Sequence, residues 1–173
     1  MENRHGHGAG RARLSRAGAR VVQIDHLVLT VGDFLKSREF YGKVLGFLGF
    51  KVLDEFSTMM GWTNGKTRLW ISEADAEGKT RPHRKGDVGF HHYAFQLRSR
   101  RDVDALQAFL QREGVEIADP ASEYYDDYYA VFFHDPDGMR LEGMKWGENT
   151  ARRRAKRTKR HKQLTGNRRR QRA

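Results

Sequence analysis

The chain has 173 residues, with 33 lysines and arginines against 22 aspartates and glutamates, and no cysteine. That length suits one domain with a real core, and the lack of cysteine excludes a disulfide framework, a thiolate metal site and a cysteine nucleophile. No apolar run reaches the ~18 residues of a membrane span, and the Arg- and Gly-rich N-terminus lacks the apolar stretch of a secretory signal, so a cytoplasmic protein without membrane contact is expected.

The net charge of +11 is unevenly spread. Residues 1–20 hold five arginines and one glutamate, and residues 149–173 hold twelve lysines or arginines and no acid. Residues 21–148 carry 16 basic and 21 acidic residues and are mildly acidic. The first stretch is interrupted by Gly6, Gly8, Gly10 and Gly18 and has no apolar period. The last has a single large aliphatic, Leu164. Both are expected to be disordered basic tails, since neither can bury enough surface to offset its ordering entropy.

The first expected strand runs from Val21 to Val31. Alternation puts Leu27, Leu29 and Val31 on a uniformly apolar side and His26, Val28 and Thr30 on a mixed one. Asp33 then caps a helix whose Phe34, Ser37, Phe40, Tyr41, Val44, Leu45 and Leu48 follow a spacing of three and four. Gly46 and Gly49 end it. Short strands follow at 51–56 and 59–63, then a tight Asn64-Gly65 hairpin turn with positive φ, then a return strand at 67–72. Residues 73–88, charged and broken by Gly78, Pro82 and Gly86, read as a linker.

The pattern then repeats. A strand is expected at 90–97, with His92 and Ala94 on one face and His91, Tyr93 and Phe95 on the other. Ser99 and Asp102 form an approximate capping box for a helix carrying Val103, Leu106, Phe109 and Leu110 up to Gly114. A strand at 115–118, a loop at 120–127, a strand at 128–133, the turn Asp135-Pro136-Asp137-Gly138 and a last strand at 139–146 complete it. Each unit is thus strand, helix, then three strands.

Laid over one another without a gap, residues 24–31 and 90–97 bring His26 onto His92. The final strands bring Arg68-Leu69-Trp70 onto Arg140-Leu141-Glu142. If the first and last strands line one cavity, His26, His92, Trp70 and Glu142 converge on it. Two neutral imidazoles and a carboxylate form a divalent-metal set, and three protein ligands leave positions open for water or substrate. A mid-strand carboxylate such as Glu142 is costly to bury without a partner; pairing with Arg68 or Arg140 is the plainer alternative. A one-residue shift of register would put His91 in place of His92. Arg68 can bind an anionic substrate group or a carboxylate of its own chain, and Trp70 can wall a pocket or fill a core.

The segments IDHLVLTV, EFYGKVLGF, GFHHYAF and FFHDPDGMRLEGM, in that order over residues 21–146, resemble the vicinal oxygen chelate superfamily of glyoxalases, extradiol dioxygenases, and fosfomycin- and bleomycin-resistance proteins. The resemblance implies an α+β fold of two tandem βαβββ units (about 21–72 and 88–148) forming one curled mixed-sheet domain around a shared pocket, and a homodimer. It implies metal ligands at His26, His92 and Glu142. Glyoxalases usually carry a fourth, carboxylate ligand where this chain has Trp70. The two-His-one-carboxylate set that remains is closer to the extradiol dioxygenases and favours Fe2+ or Mn2+, with Zn2+ or Ni2+ open. The tyrosine those enzymes use would be sought at position 132, which is Phe132.

The function expected is that of a metal-dependent lyase, isomerase or dioxygenase, whose ion chelates neighbouring oxygens of a small substrate contacted by Arg68 and Trp70; no general base is assigned. Two alternatives stay open. One is a metal-free, antibiotic-resistance-type binding protein. The other is a nucleic-acid-associated protein acting through its tails, although the C-terminal run, with no aromatics to stack on bases, suits only weak, non-specific phosphate contact.

Overall fold

The computed structural model describes residues 21–148, so both basic tails lie outside the described residues. Two successive units share one order. The first comprises β1 (His26–Val31), α1 (Phe34–Phe47), β2 (Lys51–Glu55), β3 (Met59–Thr63) and β4 (Arg68–Glu73). The second comprises β5 (Tyr93–Gln96), α2 (Arg100–Arg112), β6 (Ile117–Tyr125), β7 (Tyr128–His134) and β8 (Arg140–Trp146). Each unit forms its own four-stranded mixed sheet, β1-β4-β3-β2 and β5-β8-β7-β6, in which the first strand runs parallel to the last and the other pairings are antiparallel. This is the expected α+β arrangement of tandem βαβββ units.

The helices begin and end as their sequences dictate. Asp33 and Ser99 cap them, accepting from the amides of Lys36 and Asp102. Each stops in a left-handed glycine: Gly49 (φ 85°) bonds back to Gly46 O while Phe50 N reaches Leu45 O, and Gly114 (φ 70°) and Val115 repeat the pattern on Gln111 and Leu110. Tyr41, Val44 and Leu45 of α1 and Val103, Leu106 and Leu110 of α2 are buried with Val31, Leu69, Ile71, Val131, Phe133 and Leu141 in one core. α2 lies so close to β8 that a Cβ on Gly143 would stand 2.4 Å from Leu106 Cδ2.

The units are joined in the core and at the Asp135–Gly138 turn. Phe47 of α1 stacks on Phe109 of α2 with ring centres 4.3 Å apart. Asp137 accepts from Gly32 N (3.0 Å) at the start of α1. Tyr41 OH donates to Asp135 Oδ2 (2.6 Å) and accepts from Tyr93 OH (3.2 Å).

Four expectations are corrected. β1 starts at His26 rather than Val21, because its partner β4 starts at Arg68, directly opposite. β5 starts at Tyr93 rather than Phe90: its partner β8 emerges from the Asp135–Gly138 turn only at Arg140, so among the described residues Phe90 has no strand to pair with. The segment expected as a loop at 120–127 is strand almost throughout. It is an edge strand with register shifts on either side of Pro120, where a residue without an N–H is tolerated. In the Asn64-Gly65 turn only Gly65 has positive φ (86°); Asn64 closes the turn with its side chain, accepting from Lys66 N and Thr67 N.

Candidate metal centre

Glu142 sits in the middle of β8, paired with Ala94 of β5 on one side and Phe132 of β7 on the other. Neighbouring residues Leu141 and Gly143 face α2, so Glu142 faces the opposite side of the sheet. It is only 1% exposed. Its carboxylate nevertheless has two partners: His92 Nε2 lies 3.0 Å from Oε2, and Tyr128 OH donates to Oε1. Burial and the neighbouring carboxylate together push the Tyr128 phenol well above its ordinary range, so it stays a donor.

His92 lies in the last residue before β5. Its other nitrogen, Nδ1, meets His91 Nδ1 at 2.6 Å. Of the two adjacent histidines it is therefore His92 whose Nε2 reaches Glu142, with His91 holding the back of the ring. Burial, aided by Lys85, His92 and Arg140, lowers the His91 pKa, which favours a neutral imidazole at this contact. The surroundings are aromatic. Phe132 packs edge-on to His92 (5.9 Å) and to Tyr124 (5.2 Å). Arg140 lies 4.1 Å over the Phe132 ring and pairs with Asp119 rather than with Glu142.

His26 stands in the other sheet. Its Nδ1 is held at 2.9 Å by Asp25, which is itself gripped by Arg68 Nη1 at 2.7 Å from each oxygen. These contacts hold the Asp25 carboxyl below its ordinary range, the His26 hydrogen bond most and Arg68 next. Arg68 thus faces a carboxylate of its own chain. Such an exposed ion pair adds little stability, but an acid on Nδ1 fixes the ring and leaves Nε2 outward, as a carboxylate does for a ligating histidine. His26, Val28, Arg68 and Trp70 share the open face of the first sheet. There Trp70 lies flat on Gly61, whose absent Cβ would stand 2.5 Å from the indole, and stacks with Phe56.

Of the three expected ligands the fold brings His92 and Glu142 together and leaves His26 apart. Among the described residues no three His, Cys, Asp or Glu side chains gather as a metal ion would need. The pair that is formed fits an ion: a nitrogen and an oxygen about 2.1 Å from a shared metal lie roughly 3 Å from one another, as His92 Nε2 and Glu142 Oε2 do. The sequence offers Tyr128 only as one of four clustered tyrosines, Tyr124, Tyr125, Tyr128 and Tyr129, that can line a pocket or merely close over a core, and gives no sign of its contact with Glu142.

The description "Glyoxalase/Bleomycin resistance protein/Dioxygenase superfamily" belongs to a family model that matches residues 23–142. The Bacillus subtilis (strain 168) protein YqjT is 30% identical over 120 residues, which span 68% of this chain and 94% of that protein. The metallothiol transferase FosB of Staphylococcus epidermidis is 29% identical over 119 residues, 69% of this chain and 80% of FosB. A solved glyoxylase/bleomycin resistance protein/dioxygenase domain from Frankia sp. EAN1pec superposes with a TM-score of 0.63 at 25% identity, covering 74% of this chain and 100% of that one. With two βαβββ units, a buried His–Glu pair on the last sheet and these likenesses together, the chain belongs to the glyoxalase/bleomycin resistance protein/dioxygenase superfamily.

Proposed function

We propose that the protein is a metal-dependent enzyme acting on a small oxygen-rich molecule by lyase, isomerase or dioxygenase chemistry. The observation that supports this most is Glu142: a carboxylate 1% exposed in mid-strand, with an imidazole nitrogen 3.0 Å from one oxygen. Burying such a group is expensive unless a cation or donors compensate it. Likeness to a metallothiol transferase supports metal use as well.

His92 and Glu142 hold the ion within one chain, and His26 of a second copy completes the set. The separation of His26 from the pair supports this reading, as do Val28 and Phe56, apolar side chains 46% and 54% exposed on the first unit, which a partner would cover. A homodimer follows. Two imidazoles and one carboxylate favour Fe2+ or Mn2+ and accept Zn2+ or Ni2+. A divalent ion bound there would supply Lewis acidity to substrate oxygens and stabilise the charge that develops on them. Trp70 offers an apolar wall beside His26, while Arg68, through Asp25, orients the His26 ring.

Metal analysis of the purified protein tests the reading. About one divalent ion per chain is expected, with Glu142→Ala losing it while still unfolding in one cooperative thermal transition, though at a lower midpoint. Wild-type protein that retains none of Fe2+, Mn2+, Ni2+ or Zn2+ after loading with each would overturn the proposal.

A further inference from the structure

We infer that Tyr128 is the positioning residue of Glu142, its hydroxyl holding one carboxylate oxygen so that the other alone is presented beside His92. The inference rests on the metal-site reading above and adds to it a residue that neither the repeat nor the ligand pattern contains.

The geometry carries it. The described residues give Glu142 two partners, and they divide its oxygens: Tyr128 takes Oε1 and His92 faces Oε2. Tyr128 is not opposite Glu142 in the sheet. β7 and β8 pair Phe132 with Glu142, Ala130 with Met144 and Tyr128 with Trp146. Residues 128, 130 and 132 share a face, so the Tyr128 ring must reach along the strand past position 130 to bring its hydroxyl to Glu142. Alanine at 130, with no side chain beyond Cβ, leaves that path open. The ring is fixed from outside as well, against Trp146 (ring centres 4.4 Å apart) and Tyr125 (5.8 Å). A phenol held by two rings and one hydrogen bond has little freedom left to lose when an ion arrives.

The chemical consequence is specific. A carboxylate with both oxygens free can ligate through either or both. With Oε1 accepting from a phenol, Oε2 is the ligand, and the carboxylate plane is set by a group that does not itself need to touch the ion. Outer partners of this kind typically change metal affinity 10–100-fold when removed. Tyr128 also supplies a hydroxyl on the face of β7 where position 132 holds only a phenyl ring.

The test is a Co2+ titration of the full chain, followed by the d–d absorption of the bound ion. In Tyr128→Phe, which keeps the ring against Trp146, the Co2+ dissociation constant should rise at least about tenfold and the d–d bands should shift. Tyr125→Phe, a change on the same hairpin, should leave both at wild-type values. A second readout is the rise in thermal midpoint on adding saturating Co2+, which should shrink in Tyr128→Phe alone; a residue that merely packed the hairpin would lower the metal-free midpoint and leave that rise and the spectrum unchanged. Wild-type affinity and spectrum in Tyr128→Phe would overturn the inference and leave the metal site standing. Failure of the wild-type protein to take up Co2+ or any of Fe2+, Mn2+, Ni2+ and Zn2+ would overturn both.

Discussion

Asp135 is a buried carboxylate whose partners are hydrogen-bond donors of its own chain. It accepts from Tyr41 OH through Oδ2 and from the amides of Asp137 and Met139 through Oδ1. Asp135→Ala would leave three donors without that partner, and unmade buried hydrogen bonds cost more than made ones contribute. A loss of about 3 kcal/mol is expected in urea unfolding. Burial raises the Asp135 pKa above its ordinary 3.8 despite the donors around it. Between 3.8 and the raised value, the folded protein therefore binds more protons than the unfolded chain, so stability falls as pH rises through that window and is level above it. Asp135→Asn lacks this titration. The stability advantage of wild-type over Asp135→Asn should be largest near pH 4 and should shrink as pH rises; an advantage that grows with pH would contradict the assignment. Tyr41 and Tyr93, raised well above their ordinary range chiefly by burial, stay protonated throughout and keep the chain of hydroxyls intact.

At the scale of the element, what could be read from the sequence was what one strand or helix determines by itself. The apolar side of β1, the buried stripe of α1, both N-caps and both glycine stops depend on spacing of three, four or two and on residues that suit a terminus, and the fold has them where spacing puts them. What could not be read depends on a partner. The start of β5 is set by where β8 leaves its turn, and β6 is strand through Pro120 only because one of its sides faces no other strand among the described residues. The site divides the same way. The His26–His92 repeat and the buried Glu142 show in one line of sequence, whereas Tyr128 reaches Glu142 across two strands and Asp25 joins His26 to Arg68 through a parallel pairing. Gly61 illustrates such cross-strand demands. Trp70 lies on the bare backbone of β3, and Gly61→Ala would drive a methyl to within 2.5 Å of its ring. The indole is half-buried and can tilt outward, so a loss of about 1–3 kcal/mol is expected rather than unfolding, read as a lower urea midpoint with an unchanged slope.

At the scale of the molecule, the two units are fastened through the α1 and α2 helices and the Asp135–Gly138 turn, while the faces that bear His26 and Glu142 belong to different sheets. A core that links the helices leaves His26 on an open sheet face, and a copy related by two-fold symmetry would offer its own His26 face in return. This arrangement makes a prediction that single variants cannot test. His26→Ala removes the ligand given and keeps the pair; Glu142→Ala removes the pair and keeps the ligand given. Neither variant alone should retain metal. Co-expressed in equal amounts, they should form mixed dimers in which one site has His26 from one chain and His92 with Glu142 from the other, while the second site lacks both. Random pairing then restores about a quarter of the wild-type metal per chain. Were all three ligands drawn from one chain, every site in the mixture would still lack a ligand and the metal content would stay at that of the single variants. Metal per chain in the co-expressed dimer thus decides whether the open face of the first sheet is completed by a second copy, independently of which reaction the site performs.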